Sequence, residues 1–263
     1  DEAFTTYAIP QAWRDLGIRR YGFHGASHKF IAERSAEMAG NDVVAERARR
    51  LYVDGPGEYT GDPVRVISCH LGGSSSVVGI NNGVAIGSSM GFSPQSGLPQ
   101  NNRVGDLDSM AIPYVSKMLG LSVEEAERQL NKESGLLGLS KVSNDARDID
   151  EAAAAGNADA KLAMDVLIDS IRHWAGSFFF KMGGAEVISF TAGMGENDPA
   201  LRAAVCAGLE GLGVTIDAER NAKVIRGAEG VISADDSKIK VVVIPANEEL
   251  VIAREVVRNI EAS

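Results

Sequence analysis

The chain has 263 residues, of which 44% are hydrophobic and 24% are charged, a balance typical of a globular protein that can bury a substantial core. The formal net charge of −10 argues against general nucleic-acid binding and against attachment to an anionic membrane surface. Two cysteines imply no disulfide framework, and no apolar run reaches membrane-spanning length, so a cytoplasmic location is the default expectation.

In the first third of the chain, the pattern of apolar residues predicts helices followed by a hairpin. A short helical turn is expected at residues 13–16, and a helix at residues 28–38 that ends near Gly40. A buried strand at residues 64–69 follows a glycine-rich loop. Two apolar runs then flank Asn82-Gly83, a dipeptide that strongly favours a hairpin with a primed turn.

In the remainder of the chain, predicted helices and strands alternate. Ser122 and Glu125 form a capping-box pattern at the start of one helix, and helical spacing at residues 159–182 indicates a long, well-buried helix. The other predicted elements are helices at 107–119, 145–155, 199–212 and 249–260, and strands at 187–190 and 241–244. This alternation predicts an α/β fold.

A corner rich in glycine and serine follows the first strand, at residues 70–76. Glycines allow a phosphate to approach backbone N–H groups closely, and serine hydroxyls add further donors. With Arg103 downstream, the corner is a candidate phosphate cradle. On composition alone such corners more often only turn the chain, so these residues do not name a reaction.

Four blocks of sequence, in order and with matching spacing, resemble the signatures of the acetate and propionate kinase family. Their motifs are Gly22-Phe23-His24-Gly25, His70-Leu71-Gly72 with Arg103 and Gly105-Asp106, Gly193-Met194-Gly195-Glu196-Asn197, and Pro245-Ala246-Asn247-Glu248. The resemblance implies an α/β actin-like ATPase lobe, related to ribonuclease H, of the superfamily that contains acetate and sugar kinases, heat-shock chaperones and actin.

The resemblance implies three catalytic residues, which are Asp1, His24 and Arg103. Phosphoryl transfer depends mainly on positioning and electrostatic stabilisation, so we expect His24 and Arg103 to form a cationic pair that faces a triphosphate at the corner. Asp1 would orient the metal or the acyl group, and Glu248 would bind Mg²⁺. Read without the resemblance, Glu248 is a first-turn acid favoured by the helix dipole.

The resemblance also implies a set of nucleotide-binding residues, which are His70, Leu71, Gly72, Gly73, Ser74, Asp145, Ala146, Arg147, Gly193, Met194, Gly195, Glu196 and Asn197. Read without it, Asp145 and Arg147 are an ordinary surface charge pair, and residues 193–197 are a turn that begins a helix. The chain departs from the family pattern at two places. Gly73 replaces an asparagine, and Asn101-Asn102 replaces Gly-Thr before the arginine.

Two other histidines are predicted to have structural roles only. His28 is expected to support the loop at Ala26 and Ser27. His173 is expected on the polar side of the long helix. Neither is predicted to touch a ligand.

By resemblance, residues 1–247 form a C-terminal nucleotide-binding lobe with its inter-lobe entry segment, and residues 248–263 form a terminal helix that returns to an N-terminal lobe without a counterpart in this chain. The implied function is that of an acetate kinase-like phosphotransferase, which uses Mg²⁺ and moves the γ-phosphoryl group of ATP reversibly to acetate or another short carboxylate. A homodimer is expected, with no nucleic-acid or membrane partner. The alternative is a catalytically incomplete nucleotide-binding fragment or a pseudokinase of the same family.

Overall fold

A six-stranded mixed sheet is the centre of the fold in the computed structural model, which describes residues 2–261. Its strands are β1 (Arg65–Leu71), β2 (Ser75–Asn81), β3 (Val84–Ser88), β4 (Val187–Thr191), β5 (Gly230–Val231) and β6 (Lys240–Val243). The strand order is β3-β2-β1-β4-β6-β5, in which β1, β4 and β6 run parallel and the other neighbouring pairs are antiparallel. The sheet confirms the α/β prediction, and it places the carboxyl ends of three parallel strands at one edge.

Helices connect and cover these strands. They are α1 (Glu2–Thr5), α2 (Gln11–Asp15), α3 (Gly25–Ala39), α4 (Asp42–Asp54), α5 (Ala111–Leu119), α6 (Val123–Lys132), α7 (Gly135–Ser140), α8 (Ala146–Ala154), α9 (Ala158–Met182), α10 (Ala192–Asn197), α11 (Pro199–Cys206), α12 (Ala218–Lys223) and α13 (Glu248–Glu261). Between residues 2 and 261, no helix combines the length and the apolarity needed to cross a bilayer.

The helices form a layer on each face of the sheet. One core cluster includes α9 with Ile67 and Cys69 of β1, and the other includes α3 and α4 with Val66. Because side chains alternate along a strand, Ser68 and His70 lie on the same face as Val66, where they contact α3. The first strand therefore presents polar side chains to the start of α3.

The predicted hairpin is confirmed between β2 and β3. Asn81 pairs with Val84 across the turn, and Asn82 and Gly83 have φ angles of 50° and 82°, as a type I′ turn requires. A Cβ atom at Gly83 would lie 3.1 Å from Ala48 of α4, so glycine also allows the turn to pack against that helix.

One long helix, α4, lies outside the predicted elements. Asn41 caps it, since its side-chain oxygen accepts a hydrogen bond from the backbone N–H of Val44 at 3.0 Å. Its buried side consists mainly of Val44, Ala45 and Ala48. The Asn41 cap and the recurrence of these three residues on one side are local signals that could have indicated this helix.

The predicted helix at residues 199–212 is wrong in its second half. Helix α11 ends at Cys206, and a separate 3₁₀ turn occupies Glu210–Leu212. Between them Gly208 adopts a φ of 73°, a left-handed conformation that ends a helix readily.

The terminal helix α13 packs against α3 in this structure. Val251 is buried, and the Arg254 guanidinium contacts the buried Glu33 carboxylate at 2.9 Å. Other apolar side chains of α13, including Ile252 and Val256, remain exposed. The predicted return of this helix to a further lobe stays a prediction.

Candidate functional site

A cavity of about 710 Å³ lies at the carboxyl ends of β1 and β4, where ligands bind in open α/β sheets. Three separate segments meet there. The side chains and backbone that line it belong to Gly72, Gly73, Asn101, Asn144, Asp145, Ala146, Arg147, Asp150, Gly193, Met194, Asn197 and Asp198. The structure thus brings together all three segments proposed to bind the nucleotide.

Five of the residues proposed to bind the nucleotide do not line this cavity, and they are His70, Leu71, Ser74, Gly195 and Glu196. Leu71 is buried in the core beneath the corner. The Glu196 carboxylate accepts hydrogen bonds from the backbone N–H groups of Ala192, at 2.8 Å, and Ala246, at 2.9 Å. Glu196 therefore ties α10 to the loop before α13 instead of pointing into the cavity.

Four lining residues were not among the proposed ligands: Asn101, Asn144, Asp150 and Asp198. Asn144 and Asn101 are close in sequence to proposed residues, so proximity could have suggested them. Asp198 is recognisable only as a helix cap, since it accepts a hydrogen bond from the backbone N–H of Leu201 at 2.9 Å. Nothing in the local sequence marks Asp150.

Asp145 and Arg147 form the surface pair expected from charge alone, and they also stand on the cavity wall. The guanidinium contacts both carboxylate oxygens, at 3.0 and 2.6 Å, and the same carboxylate caps α8. The hydrogen bond from Arg147 lowers the pKa of Asp145 to about 2. Asp145 and Arg147 can therefore be a surface ion pair and part of a nucleotide-binding site at the same time.

Asp150 and Asp198 place two neighbouring carboxyl groups on another part of the wall. Burial, followed by the negative charge of Asp198, raises the pKa of Asp150 to about 6. A proton shared between the two groups relieves their repulsion, as in other close carboxyl pairs.

This pair predicts a specific dependence of stability on pH. In the unfolded chain Asp150 should release its proton at about pH 4, whereas in the folded chain it holds the proton up to about pH 6. The folded state therefore binds more protons in this window, and the stability that Asp150 contributes is lost as the pH rises through it. We expect Asp150→Asn to unfold at a higher urea concentration than wild type at neutral pH, with the difference vanishing in acid. Glu151→Gln, an exposed change on the same helix, is the control, and an equal response of both variants would contradict the assignment.

A chain of hydrogen bonds connects His24 to the centre of the sheet. His24 Nδ1 lies 2.8 Å from the Ser76 hydroxyl, which lies 2.8 Å from His28 Nε2. His28 Nδ1 in turn lies 2.8 Å from the Ser68 hydroxyl. His28 is therefore a buried link between β1, β2 and α3, which differs from its predicted role of supporting the nearby loop.

The His24 and His70 rings stack face to face, with centroids 4.0 Å apart. Ser27 holds His70 through a 2.8 Å contact with Nδ1. Burial, followed by the charge of Arg103, lowers the pKa of His24, and burial lowers the pKa of His70 to about 3. These shifts favour the neutral imidazole of His24 in the ligand-free chain, and the predicted cationic pair facing a triphosphate stays a prediction.

Arg103 lies at the glycine and serine corner, as proposed. Its Nη1 is 3.4 Å from the Ser74 hydroxyl and 3.2 Å from Gln100 Oε1. Across residues 2–261 it forms no ion pair with a carboxylate, so its charge is available to an anionic ligand. The charge lies close enough to His24 to lower the pKa of that ring.

The two departures from the family pattern lie side by side in space. A Cβ atom at Gly73 would be 3.4 Å from Nδ2 of Asn101, and both residues line the cavity. The side-chain amide at this corner therefore comes from position 101.

The acidic candidates are incompletely defined by the structure. Asp1 lies outside the described residues. Glu248 is half-buried at the first position of α13, and its carboxylate has no hydrogen-bond or ion-pair partner between residues 2 and 261. In that same range, no three His, Cys, Asp or Glu side chains converge as a metal site would require.

Comparison with known proteins gives a consistent set of similarities. A model described as the acetokinase family matches residues 1–254. An acetate kinase of Staphylococcus aureus (strain JH9) is 43% identical over 251 residues, which are 95% of this chain and 58% of the relative. Crystal structures of acetate kinase from Porphyromonas gingivalis and propionate kinase from Francisella tularensis superpose with TM-scores of 0.86 and 0.83, at 36% and 32% identity. Each alignment covers 97% of this chain but 59% and 60% of the respective solved chains, so this chain spans about three fifths of its relatives.

Proposed function

The chain belongs to the acetokinase family, and we propose that it transfers the γ-phosphoryl group of ATP to a short carboxylate such as acetate, reversibly giving an acyl phosphate and ADP. One observation carries this proposal: Arg103 and His24 both contact the corner at residues 70–76, and Gly72 and Gly73 of that corner line a cavity together with the two other proposed nucleotide segments. A kinase that acts on a carboxyl group needs this combination of a phosphate cradle and unpaired donors.

The reaction requires little proton chemistry. A short carboxylate is already ionised at neutral pH, so one of its oxygens can form a bond to the γ-phosphorus without a general base. The bond from that phosphorus to the β–γ bridging oxygen breaks, and its electron pair leaves with ADP. Negative charge spreads over the three equatorial oxygens during transfer, and Arg103 together with the His24 imidazole would stabilise it.

The nucleotide would bind in the 710 Å³ cavity. Backbone N–H groups at Gly72 and Gly73 suit a close approach of phosphate, since neither residue carries a side chain. Met194 and Asn197 on α10 would border the nucleoside, opposite the pair of Asp145 and Arg147. His70 would act from behind the corner, by supporting His24.

We assign magnesium binding to Glu248, with Asp1 as the second acidic candidate. The Glu248 carboxylate suits a hard cation, it has no partner between residues 2 and 261, and Glu196 ties the loop before it to α10. Magnesium bound to a nucleotide usually needs only one or two protein carboxylates, which fits this donor set. The ion would neutralise phosphate charge.

The proposal extends to a cytoplasmic homodimer. Met110, Tyr114 and Met118 lie one turn apart along α5 or next to it and are all more than 60% exposed, which supports association through an apolar surface. The two cysteines, Cys69 and Cys206, are buried free thiols, which suits a reducing compartment.

A second candidate is nucleotide binding without turnover. The chain spans about three fifths of the acetate and propionate kinases that it resembles, and the acyl pocket could require the part that they have in addition. Under this alternative the cavity still binds ATP, but no phosphoryl group is transferred.

An assay with γ-labelled ATP separates these candidates. The chain is incubated with Mg²⁺ and formate, acetate, propionate or butyrate, and labelled acyl phosphate is separated from ATP and inorganic phosphate. A second aliquot is treated with hydroxylamine to identify the acyl group as its hydroxamate, and ATP binding is measured by calorimetry. Labelled acyl phosphate would support the kinase, and binding without product would support the second candidate. Absence of both would refute the two together. In an active preparation Glu248→Gln should raise the Mg²⁺ concentration needed for half-maximal rate.

A further inference from the structure

We propose that Ser76, His28 and Ser68 form a positioning relay that holds neutral His24 in one tautomer, with its proton on Nε2 and facing the phosphoryl group. This inference rests on the proposed function for its purpose, but its geometry does not depend on turnover. The three relay residues do not touch the substrate and act through His24 alone.

The relay connects one buried end with one accessible end. Ser68 is fully buried in β1, Ser76 is fully buried in β2, and His28 is almost fully buried in α3, whereas His24 is half-buried. All three contacts along the chain are 2.8 Å long, which is a normal hydrogen-bond distance. Four groups from three elements are thus joined in an unbranched line.

The surroundings of both rings in the line favour the neutral form in the ligand-free chain. Burial lowers the pKa of His28 well below its ordinary value, and the neighbouring His70 and His24 rings lower it further. The charged Arg103 adds to burial in lowering the pKa of His24. A neutral imidazole carries one donor and one acceptor nitrogen, so a ring that accepts a hydrogen bond at one nitrogen can donate one at the other.

Three proton arrangements give each of these contacts a hydrogen. In the first, Ser68 donates to His28 Nδ1, His28 Nε2–H donates to Ser76, and Ser76 donates to His24 Nδ1. Nε2 of His24 then carries the proton. In the second, every bond is reversed, and the Ser68 hydroxyl hydrogen has to find an acceptor outside the line. In the third, His28 Nε2–H and His24 Nδ1–H both donate to Ser76, whose own hydroxyl hydrogen has to find an acceptor outside the line.

The buried hydroxyls decide among the three. Within residues 2–261 neither the Ser68 nor the Ser76 hydroxyl forms a hydrogen bond outside the line, so the second and third arrangements would each leave a fully buried donor without an acceptor. Unmet buried donors are costly, whereas the free donor of the first arrangement lies on half-buried His24, where a ligand can reach it. His24 Nε2 has no partner in the same part of the chain, which leaves it for a phosphate oxygen.

The backbone conformation at the start of α3 also indicates that the His24 ring is held in one orientation. His24 adopts a left-handed φ of 59° immediately before α3, an uncommon conformation for a residue other than glycine. The Ser76 contact and the stacking on His70 hold the ring from two sides in that conformation. The ring therefore has a defined orientation before any ligand binds.

The test reads the tautomer directly by nitrogen NMR on the ligand-free chain labelled at histidine. The chain has four histidines, and the loss of signals in His24→Gln assigns the ring. At about pH 8, where an ordinary histidine is neutral, we expect wild type to show an unprotonated Nδ1 and a protonated Nε2. Ser76→Ala and the more distant Ser68→Ala should each give averaged shifts that indicate a mixture of tautomers.

The matched control is Ser35→Ala. Ser35 is a fully buried serine on α3 whose hydroxyl has no hydrogen-bond partner among residues 2–261, so its removal should leave the His24 shifts unchanged. A protonated Nδ1 in wild type would overturn the proposal, and so would shifts that neither Ser76→Ala nor Ser68→Ala alters. If Ser76→Ala does not fold, the His24 shifts of wild type and of Ser68→Ala still test the proposal.

A kinetic readout separates positioning from simple destabilisation. Groups that orient a functional histidine are typically worth about 10- to 100-fold, so Ser76→Ala should lower kcat by that factor with little change in the KM for ATP. A fixed tautomer in a chain that makes no acyl phosphate would refute the proposed function and leave the relay intact. Normal turnover together with a mixture of tautomers would support the proposed function and refute the relay.

Discussion

Replacing Arg103 with alanine is expected to lower kcat by about three orders of magnitude or more, with the fold unchanged. An arginine that stabilises a transferring phosphoryl group is typically worth about 10³- to 10⁵-fold in rate. In this chain the effect should be large because burial and the charge of Arg103 lower the pKa of His24, which leaves Arg103 to supply the fixed positive charge at the corner. Its own contacts, with Ser74 and Gln100, are long and add little to stability.

The measurement compares kcat and KM for ATP in an active preparation, with thermal unfolding as the check on the fold. Arg103→Lys should recover only part of the rate, because a lysine keeps the charge but loses the fork of donors. Arg147→Ala is the matched control, since it removes an exposed guanidinium that lines the cavity and should mainly raise the KM. Equal losses in kcat at positions 103 and 147 would contradict the role given to Arg103.

The largest effect on stability is expected for Arg202→Met, which should reduce the free energy of unfolding by about 3 kcal/mol. Arg202 is completely buried and forms no carboxylate pair in the described part of the chain. Its guanidinium instead donates to the carbonyl oxygens of Gly195, at 2.9 Å, Val224, at 3.0 Å, and Asn221, at 2.7 Å, and to the Asn221 side chain at 2.8 Å. Methionine fills most of the volume but leaves these acceptors unsatisfied.

The same substitution should also weaken nucleotide binding, because Arg202 holds the carbonyl of Gly195 beneath the cavity wall formed by α10. Urea unfolding measures the first effect, and calorimetric titration with ATP measures the second. Arg50→Met, on an exposed face of α4, is the control and should change neither quantity measurably. Stability within experimental error of wild type would show that water replaces the guanidinium, and would refute the prediction.

The elements that sequence patterns predicted well are those whose signals are local. The hairpin turn at Asn82-Gly83 needs only two residues that accept positive φ angles, and the long helix α9 carries its apolar period over seven turns. The Ser122 cap is likewise confirmed by a 3.1 Å hydrogen bond to the backbone N–H of Glu125. Helix α4 was not predicted, although its Asn41 cap and the apolar residues on its buried side are local signals of the same kind.

For the candidate site, motifs indicated the segments but not the direction in which each side chain points. Gly73, Arg147 and Asn197 do line one cavity. Glu196 belongs to the same motif as Asn197, yet it turns away to bind two backbone N–H groups. Asp150 joins the cavity only because α8 packs beside Asp198, a contact between residues far apart in sequence.

The sequence by itself determined the family, the α/β class and the segments that meet at the cavity, because these follow from short-range patterns and motif order. Tertiary structure alone decided the surroundings that lower the pKa of His24 and the hydrogen-bond partners of its ring. Those properties depend on burial and on partners that are distant in sequence, such as Ser76, which is 52 residues away, and Arg103. A pattern in the sequence does not show that such residues are neighbours in space. A protonation state is set by the local dielectric and by neighbouring charges, and both exist only once the chain has folded.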